Sequence, residues 1–288
     1  MCIPGQVASN AALVIRNYSR DHSFFLELSD YFWVTRESQF PFPFGTNGSE
    51  DILSQVLGVA NDFSIPHEIK RLPCRRCVVI GSGYRMKNSS LGDIIDKYDI
   101  VIRLNNAPVH KYEEDVGSKT TLRLFYPESA FFDPVLDNNP DTLLVLVPFK
   151  NLDIQWLKTV LNNETMVKKG FWKKPPLIWK VKSQNIRILN PYFMEFAATK
   201  LMQYVLTIRK MSVRPTIGFM AISFAIHFCD MVHIAGFGYP KINDSLPNHY
   251  YDKSIMKKMI SASHKVPLEA MIIRKLLQHN VIQNLTYF

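Results

Sequence analysis

The stretch CVVIGSGYRMKNSSLGDIIDKYDIVIRL, residues 77–104, decides the fold class. It opens with a β-branched apolar run at 78–80, typical of a buried strand, and continues into the glycine turn 81–83. The capping-box pattern at 90–93 predicts the start of a helix, and the apolar run at 99–102 predicts a second strand. A strand, a helix and a parallel strand make a βαβ unit, so the stretch predicts a parallel sheet.

Apolar runs on the C-terminal side extend this pattern. We predict strands at 142–147, 186–189 and 232–235, and helices at 218–228 and 268–277. The last strand also runs into a glycine turn, at 236–238. We therefore expect an α/β fold with a Rossmann-type, largely parallel central sheet flanked by helices. Its ligand crevice is expected at the carboxyl ends of the strands.

The composition restricts the class of protein. The 288 residues are 47% hydrophobic and 20% charged, which excludes a disordered or coiled-coil chain. The net charge of +9 favours an anionic partner. No apolar run of about 20 residues predicts a membrane span, and the N-terminus lacks the pattern of a signal peptide. The basic stretch 168–174 is interpreted as a solvated loop, so no nucleic-acid partner is predicted.

The chain has four cysteines, Cys2, Cys74, Cys77 and Cys229. A zinc site needs further ligands at short spacing, and a thioredoxin-like dithiol follows a strand whereas this pair precedes one. Structural disulfides fit better. A helix that crosses a parallel sheet ends near the amino ends of the strands, which predicts the pair Cys77–Cys229. Cys2 is then left to pair with Cys74.

Six Asn-x-Ser/Thr sequons indicate passage through the secretory pathway. Five of them are candidate glycosylation sites, at Asn17, Asn47, Asn163, Asn243 and Asn284. The sixth begins at Asn88.

Other motifs exclude several reactions. Met86 stands where a dinucleotide fingerprint needs its third glycine, and 117–120 lacks the Gly-Lys pair of a P-loop. No Asp-x-Asp triplet is present to hold a metal-bound diphosphate, so we predict no metal site. Two histidines, His249 and His264, stand in polar loops after the last predicted strand. Imidazole suits both proton abstraction from a hydroxyl and hydrogen bonding to a leaving phosphate.

Four segments together resemble the motifs of the animal sialyltransferases, glycosyltransferase family 29. The large motif lies at 74–129, the small motif at 215–239, the third motif at 249–252 and the very small motif at 264–269. Residues 15–73 are similar to the type 4 branch of the β-galactoside α-2,3-sialyltransferases.

The resemblance implies a GT-A-like variant of the α/β fold and an inverting transfer that needs no metal or other cofactor. Sialic acid would pass from CMP-sialic acid to the 3-hydroxyl of terminal galactose, preferably in Galβ1-4GlcNAc, on glycoproteins and glycolipids. A type II membrane protein of the Golgi lumen is implied, although we expect the anchor to be absent from this chain. We divide the chain into a stem-like segment, 1–50, and a catalytic domain, 51–288.

The resemblance also implies the roles of individual residues. His264 would be the catalytic base, and His249 would bind the departing phosphate. Contacts to CMP-sialic acid are expected from Ser82, Gly83, Asn105, Tyr126, Thr216, Ile217, Gly218, Gly236, Phe237 and Gly238. The helix starts near Ser90 and Gly218 are expected to face the crevice and favour an anion.

Two departures from the family pattern leave other functions open. Ser82 stands where many family members carry Asn, and Arg85 stands where some do, so both departures concern the affinity for the donor. One alternative is a non-catalytic homologue that binds CMP or glycans, against which the intact His249 and His264 argue. Another is a relative that prefers Galβ1-3 acceptors.

Overall fold

A computed structural model describes residues 2–29, 39–60, 64–164, 169–203, 214–238, 246–254 and 264–286. Over these ranges the strands are β1 (Arg76–Ile80), β2 (Ile100–Leu104), β3 (Leu122–Phe125), β4 (Leu143–Leu146), β5 (Ile186–Ile188), β6 (Met231–Ala235) and β7 (Gln283–Asn284). They form a seven-stranded sheet in the order β5-β4-β3-β2-β1-β6-β7. Each pair of neighbouring strands is parallel, so the predicted sheet type is confirmed.

Helices of the same ranges flank the sheet. They are α1 (Gln6–Val14), α2 (Glu50–Ala60), α3 (His67–Lys70), α4 (Gly92–Ile95), α5 (Glu113–Val116), α6 (Asn151–Leu161), α7 (Tyr192–Phe196), α8 (Ile217–Phe228) and α9 (Val266–Gln278). Helix α8 is apolar on nearly every side and almost entirely buried, as expected of a helix packed inside the core. The predicted helices at 218–228 and 268–277 correspond to α8 and α9.

The predicted helix start at Ser90 is wrong. The helix there is the single turn α4, and no side chain caps it. The Asp115 carboxylate accepts hydrogen bonds from the backbone amides of Asn88 and Ser90, at 2.8 and 3.0 Å. Ser90 itself adopts a positive φ of 50°. A distant carboxylate therefore shapes this segment as a turn, and the local capping box does not form.

Two buried arginines lie side by side in the middle of the sheet. Arg103 donates hydrogen bonds to backbone carbonyls within 116–119, and Arg123 donates to the carbonyls of Asn105 and Ala107. Burial lowers the pKa of both guanidiniums to about 10, so both remain cations at neutral pH. Because carbonyl oxygens solvate each charge, the two side chains hold the loops after β2 in place.

The N-terminal segment packs on the same core as the sheet. Val7 and Ala11 of α1 are buried against it, and the backbone amide of Leu26 donates to the carbonyl of Ile188 at the end of β5. The predicted boundary between a stem-like segment and a catalytic domain at residue 50 stays a prediction. Within the described ranges no helix is both long and apolar enough to cross a membrane.

Both predicted disulfides are present in the structure. Cys77–Cys229 joins the start of β1 to the end of α8, with a Cα–Cα distance of 6.0 Å. Cys2–Cys74 ties the segment before α1 to the approach to β1, at 6.1 Å. The helix that crosses the sheet thus ends beside the amino end of a strand, as the geometry of a parallel sheet requires.

Candidate active site

A cavity of about 610 Å³ opens along the carboxyl ends of five neighbouring strands, β6, β1, β2, β3 and β4. Its volume lies within the range of small-molecule sites. All twelve residues that the sequence predicts for catalysis or donor contact line it: Ser82, Gly83, Asn105, Tyr126, Thr216, Ile217, Gly218, Gly236, Phe237, Gly238, His249 and His264.

Two glycine turns form one end of this cavity. The Gly81 amide donates to the Ala235 carbonyl at 2.7 Å, and the Gly83 amide donates to the Gly236 carbonyl at 3.0 Å. A Cβ atom on Gly83 would lie 2.3 Å from the Gly236 oxygen. Only glycine allows the turns after β1 and β6 to meet this closely, and such backbone is accessible to a phosphate or nucleotide.

The first turn of α8 forms a second wall and is fixed by a buried carboxylate. Thr216 caps the helix, because its hydroxyl oxygen accepts a hydrogen bond from the Phe219 amide at 3.2 Å. Glu269, fully buried in α9, accepts hydrogen bonds from the Thr216 amide at 2.8 Å and from its hydroxyl at 2.6 Å. Helix α9 therefore positions the helix start that faces the cavity.

His264 precedes α9 and has a defined tautomer. Its Nδ1 lies 2.6 Å from the backbone carbonyl of Arg214. A carbonyl oxygen only accepts hydrogen bonds, so Nδ1 carries the proton. Nε2 of the neutral ring then keeps its lone pair, as a general base requires.

His249 lies beside the glycine turn after β1. Its backbone forms an isolated antiparallel β-bridge with Gly83. Its ring stacks on the Tyr251 ring, with 5.1 Å between the two ring centroids. Its Nδ1 donates to Asp252 Oδ2 at 2.8 Å. Burial works to raise the pKa of Asp252, but hydrogen bonds from Ser254 and His249 hold it below its usual value. The ionised Asp252 therefore fixes the orientation of the imidazole ring.

Two further side chains in the cavity wall have polar atoms suited to a ligand. Burial, with the nearby Glu128 charge, raises the pKa of Tyr126 to about 12, so its hydroxyl stays protonated and can donate a hydrogen bond. The Asn248 amide is buried, and neither its oxygen nor its nitrogen has a partner among the described residues. Buried polar groups are normally satisfied, so a bound ligand is a natural partner for Asn248.

Comparison with known proteins assigns the family. The sequence profile described as "Glycosyltransferase family 29 (sialyltransferase)" matches residues 25–281, most of the chain. The chain belongs to glycosyltransferase family 29. The predicted family is therefore confirmed.

Curated members of the sialyltransferase family match all or most of the chain. It is 54% identical to rat and 55% identical to human CMP-N-acetylneuraminate-beta-galactosamide-alpha-2,3-sialyltransferase 4, covering all of this chain and 86% of each relative. It is 39% identical to human type 2 lactosamine alpha-2,3-sialyltransferase, covering 86% of this chain and 76% of that protein.

Solved sialyltransferase structures share the fold. A crystal structure of a mammalian sialyltransferase in complex with Gal-beta-1-3GalNAc-ortho-nitrophenol superposes with a TM-score of 0.74 at 25% identity, covering 94% of this chain and 93% of that one. A second mammalian sialyltransferase structure gives the same TM-score at 26% identity, covering 94% and 92%. The prediction of a GT-A-like variant of the α/β fold is confirmed.

The structure adds residues to the sialyltransferase cavity that sequence reasoning missed. They are Gly81, Leu104, Glu128, Phe149, Lys150, Asp153, Trp172, Arg214, Asn248 and Val266. Gly81 directly follows β1 and Leu104 ends β2, and this position at the end of a predicted strand was the signal available in the sequence. Ser90, in contrast, does not line this cavity, so the predicted anion site at its helix start is wrong. Arg85 lies at the edge, where a Cβ atom on Gly238 would be 3.1 Å from its Nε.

The candidate glycosylation sites of this sialyltransferase chain differ in accessibility. Exposed asparagines are found at four sequons, Asn17, Asn47, Asn88 and Asn163. The Nδ2 atom of Asn284, to which a glycan would be attached, is buried in β7. Asn243 lies outside the described residues.

The described part of the chain contains no cluster of three or more His, Cys, Asp or Glu side chains arranged to hold a metal ion. The independence of the reaction from metal stays a prediction.

Proposed function

We propose that this chain transfers sialic acid from CMP-sialic acid to the 3-hydroxyl of a terminal β-linked galactose, with inversion and without a metal ion. The main support for the proposal is that His249, His264 and the two glycine turns line the same cavity. The names of the rat and human relatives, matched over the whole chain, support the donor and the linkage.

The proposed mechanism assigns one task to each histidine. His264 Nε2 accepts the proton of the galactose 3-hydroxyl as its oxygen attacks the anomeric carbon. His249 donates a hydrogen bond to the CMP phosphate as the bond between the phosphate oxygen and the anomeric carbon breaks. The start of α8 at Gly218 and the glycine amides favour the negative charge that develops on the phosphate. A positioned base contributes roughly 10²–10⁴-fold to such a reaction.

For the acceptor we propose Galβ1-4GlcNAc on glycoproteins and glycolipids. The name of the type 2 lactosamine relatives supports this choice. Galβ1-3 acceptors are the second candidate, because the matched crystal structure holds Gal-beta-1-3GalNAc-ortho-nitrophenol. Two disulfides and exposed sequons support an oxidising compartment, and we propose that this compartment is the Golgi lumen. From the family we also propose that the protein is a type II membrane protein.

A transfer assay tests the proposal. The chain is secreted from animal cells behind an added signal peptide and supplied with CMP-sialic acid, either acceptor, and EDTA. We expect more product with Galβ1-4GlcNAc than with Galβ1-3GalNAc, and complete cleavage of the product by an α-2,3-specific sialidase. Absence of product from folded, disulfide-bonded protein would contradict the proposal and favour a binding homologue.

A further inference from the structure

The loop before β5 carries a concentration of positive charge that has no role in the reaction described above. Residues 169–182 contain five lysines and no acidic residue. All five lysines are exposed, and no ion pair links any of them to another residue in the described ranges: Lys169, Lys173, Lys174, Lys180 and Lys182. Uncompensated charge of one sign on one loop favours an anionic partner.

Apolar side chains are also left in water on this loop and on the loop that follows β3. Ile178 is 80% exposed, and Val135 and Leu136 are 78% and 53% exposed. Single exposed apolar residues are normal on a protein surface, whereas a group of them rimmed by polar side chains marks an interaction site.

Ring contacts join the two loops into one surface. Lys173 Nζ lies 3.9 Å from the centre of the Phe131 ring. The Phe132 and Trp179 rings meet edge to face, with 6.1 Å between their centroids. The lysines of one loop and the exposed aliphatic side chains of the other therefore lie on neighbouring segments that pack against each other.

The apolar tip of this surface is held in a fixed shape. The Asp133 carboxylate accepts hydrogen bonds from the backbone amides of Val135 and Leu136, both at 2.8 Å. The Asp133 amide in turn donates to the carboxylate of the buried Asp137, at 2.9 Å. A turn that is already ordered loses little conformational entropy when its tip binds a partner.

The combination of lysines and exposed aliphatic side chains indicates the class of partner. A bilayer that contains acidic lipids offers negative headgroups to the ammonium groups and an apolar layer beneath them to the aliphatic side chains. Lysine suits this boundary, because its methylene groups can lie in the apolar layer while its charge stays in water. A nucleic acid would match the lysines but offers no such apolar layer to Ile178, Val135 and Leu136.

We propose that the loops 130–136 and 169–182 form a docking surface for a bilayer that contains acidic lipids. The lysines bind the headgroups, and the three aliphatic side chains enter the boundary of the acyl chains. Trp172 belongs to this surface, is 73% exposed, and also lines the catalytic cavity. A docked chain therefore holds the mouth of its cavity close to the bilayer.

Sedimentation with lipid vesicles tests the docking surface. The probes are vesicles of phosphatidylcholine alone and vesicles of phosphatidylcholine mixed with phosphatidylserine. We expect the secreted full chain to bind the mixed vesicles, with an affinity that falls as the salt concentration rises. It should bind the neutral vesicles at least about tenfold more weakly, because these lack the charge that the lysines recognise.

Two variants remove the two parts of the surface separately. Lys173→Glu with Lys174→Glu reverses two charges, and Val135→Ser with Leu136→Ser removes two apolar side chains. Each pair of substitutions should weaken binding to the mixed vesicles at least about tenfold. All four side chains are exposed, so both variants should fold and keep the circular dichroism spectrum of wild type.

Matched controls alter the same kinds of side chain on other elements. Lys70→Glu with Lys275→Glu changes the net charge by the same amount, at exposed positions of α3 and α9. Leu13→Ser removes an aliphatic side chain of α1 that is 84% exposed. Both controls should bind the mixed vesicles within about threefold of wild type.

Three results would overturn the docking surface. They are no binding of wild type to the mixed vesicles at low salt, equal binding to both kinds of vesicle, and variants that bind as wild type does. Binding to polyglutamate without binding to vesicles would likewise overturn it and assign the surface to an acidic protein. Because sedimentation does not depend on sialyl transfer, this test stands even if the proposed function fails.

Discussion

Replacing Thr216 with valine removes the hydroxyl that joins α8 to α9 at the cavity wall. The hydrogen bond from this hydroxyl to the buried Glu269 is charge-assisted, at 2.6 Å, and such bonds contribute about 1.5–3 kcal/mol. The same oxygen caps α8 through the Phe219 amide, and loss of a cap costs about 0.5–2 kcal/mol. Both effects act through one atom, so they overlap. We expect Thr216→Val to lower the free energy of unfolding by about 3 kcal/mol.

Urea denaturation followed by circular dichroism measures this loss. Thr199→Val is the matched control, since the Thr199 hydroxyl donates to the carbonyl of Glu195 within the same helical segment, at 2.8 Å. The control should change the unfolding free energy by less than about 1 kcal/mol. Hydrogen exchange of the Phe219 amide should also become faster in Thr216→Val. A free energy of unfolding within about 0.5 kcal/mol of wild type in Thr216→Val would refute the reasoning.

Three other experiments have defined outcomes. Burial, opposed by backbone amides and Lys150, raises the pKa of Asp153 to about 7. The folded state therefore binds this proton more tightly than the unfolded chain does, and the contribution of Asp153 to stability falls as pH rises from about 4 to about 7. Asp153→Asn should then be less stable relative to wild type at pH 5 than at pH 8 in urea titrations, and an equal difference at both pH values would contradict this. Replacing Cys77 and Cys229 together with alanine opens a loop with a sequence separation of 152. It should cost about 2–5 kcal/mol of unfolding free energy, and unchanged stability would refute the structural role of this bond. Glycopeptide mass spectrometry of the secreted chain should find glycans at the exposed Asn17 and Asn47 but none at Asn284, where full occupancy would contradict the buried Nδ2.

The cavity residues that could be predicted from the sequence share one property. Each lies in one of the four segments that resemble the sialyltransferase motifs, and some also stand out locally, such as the glycine turn 81–83 after a β-branched strand or a histidine in a polar loop. Parallel strands bring their carboxyl ends to one edge, so local motifs at strand ends become neighbours in the fold. Strand geometry therefore predicts that the turns after β1 and β6 lie together, and the resemblance adds His249 to them.

The parts that were missed depend on contacts between distant residues. The apolar pattern does not predict strand β3, because Arg123 interrupts it. In the fold, three backbone carbonyl groups accept hydrogen bonds from the Arg123 guanidinium and so solvate its charge. The local sequence predicts Ser90 as a helix cap. In the fold its backbone amide instead donates a hydrogen bond to the carboxylate of Asp115, 25 residues further along the chain. The sequence analysis does not predict α6, and the burial of Asp153 near Lys150 and Glu128 is a tertiary effect.

The most direct test of the account is the transfer rate of His264→Ala together with its affinity for CMP. His279→Ala is the matched control, because its Nδ1 also lies near a backbone carbonyl, that of Lys275 at 2.9 Å, but it does not line the cavity. We predict that His264→Ala loses at least about 100-fold in turnover while its affinity for CMP stays within about twofold of wild type. The control should match wild type in both measurements. Near-normal turnover in His264→Ala would contradict the assignment of the base, and with it the proposed mechanism.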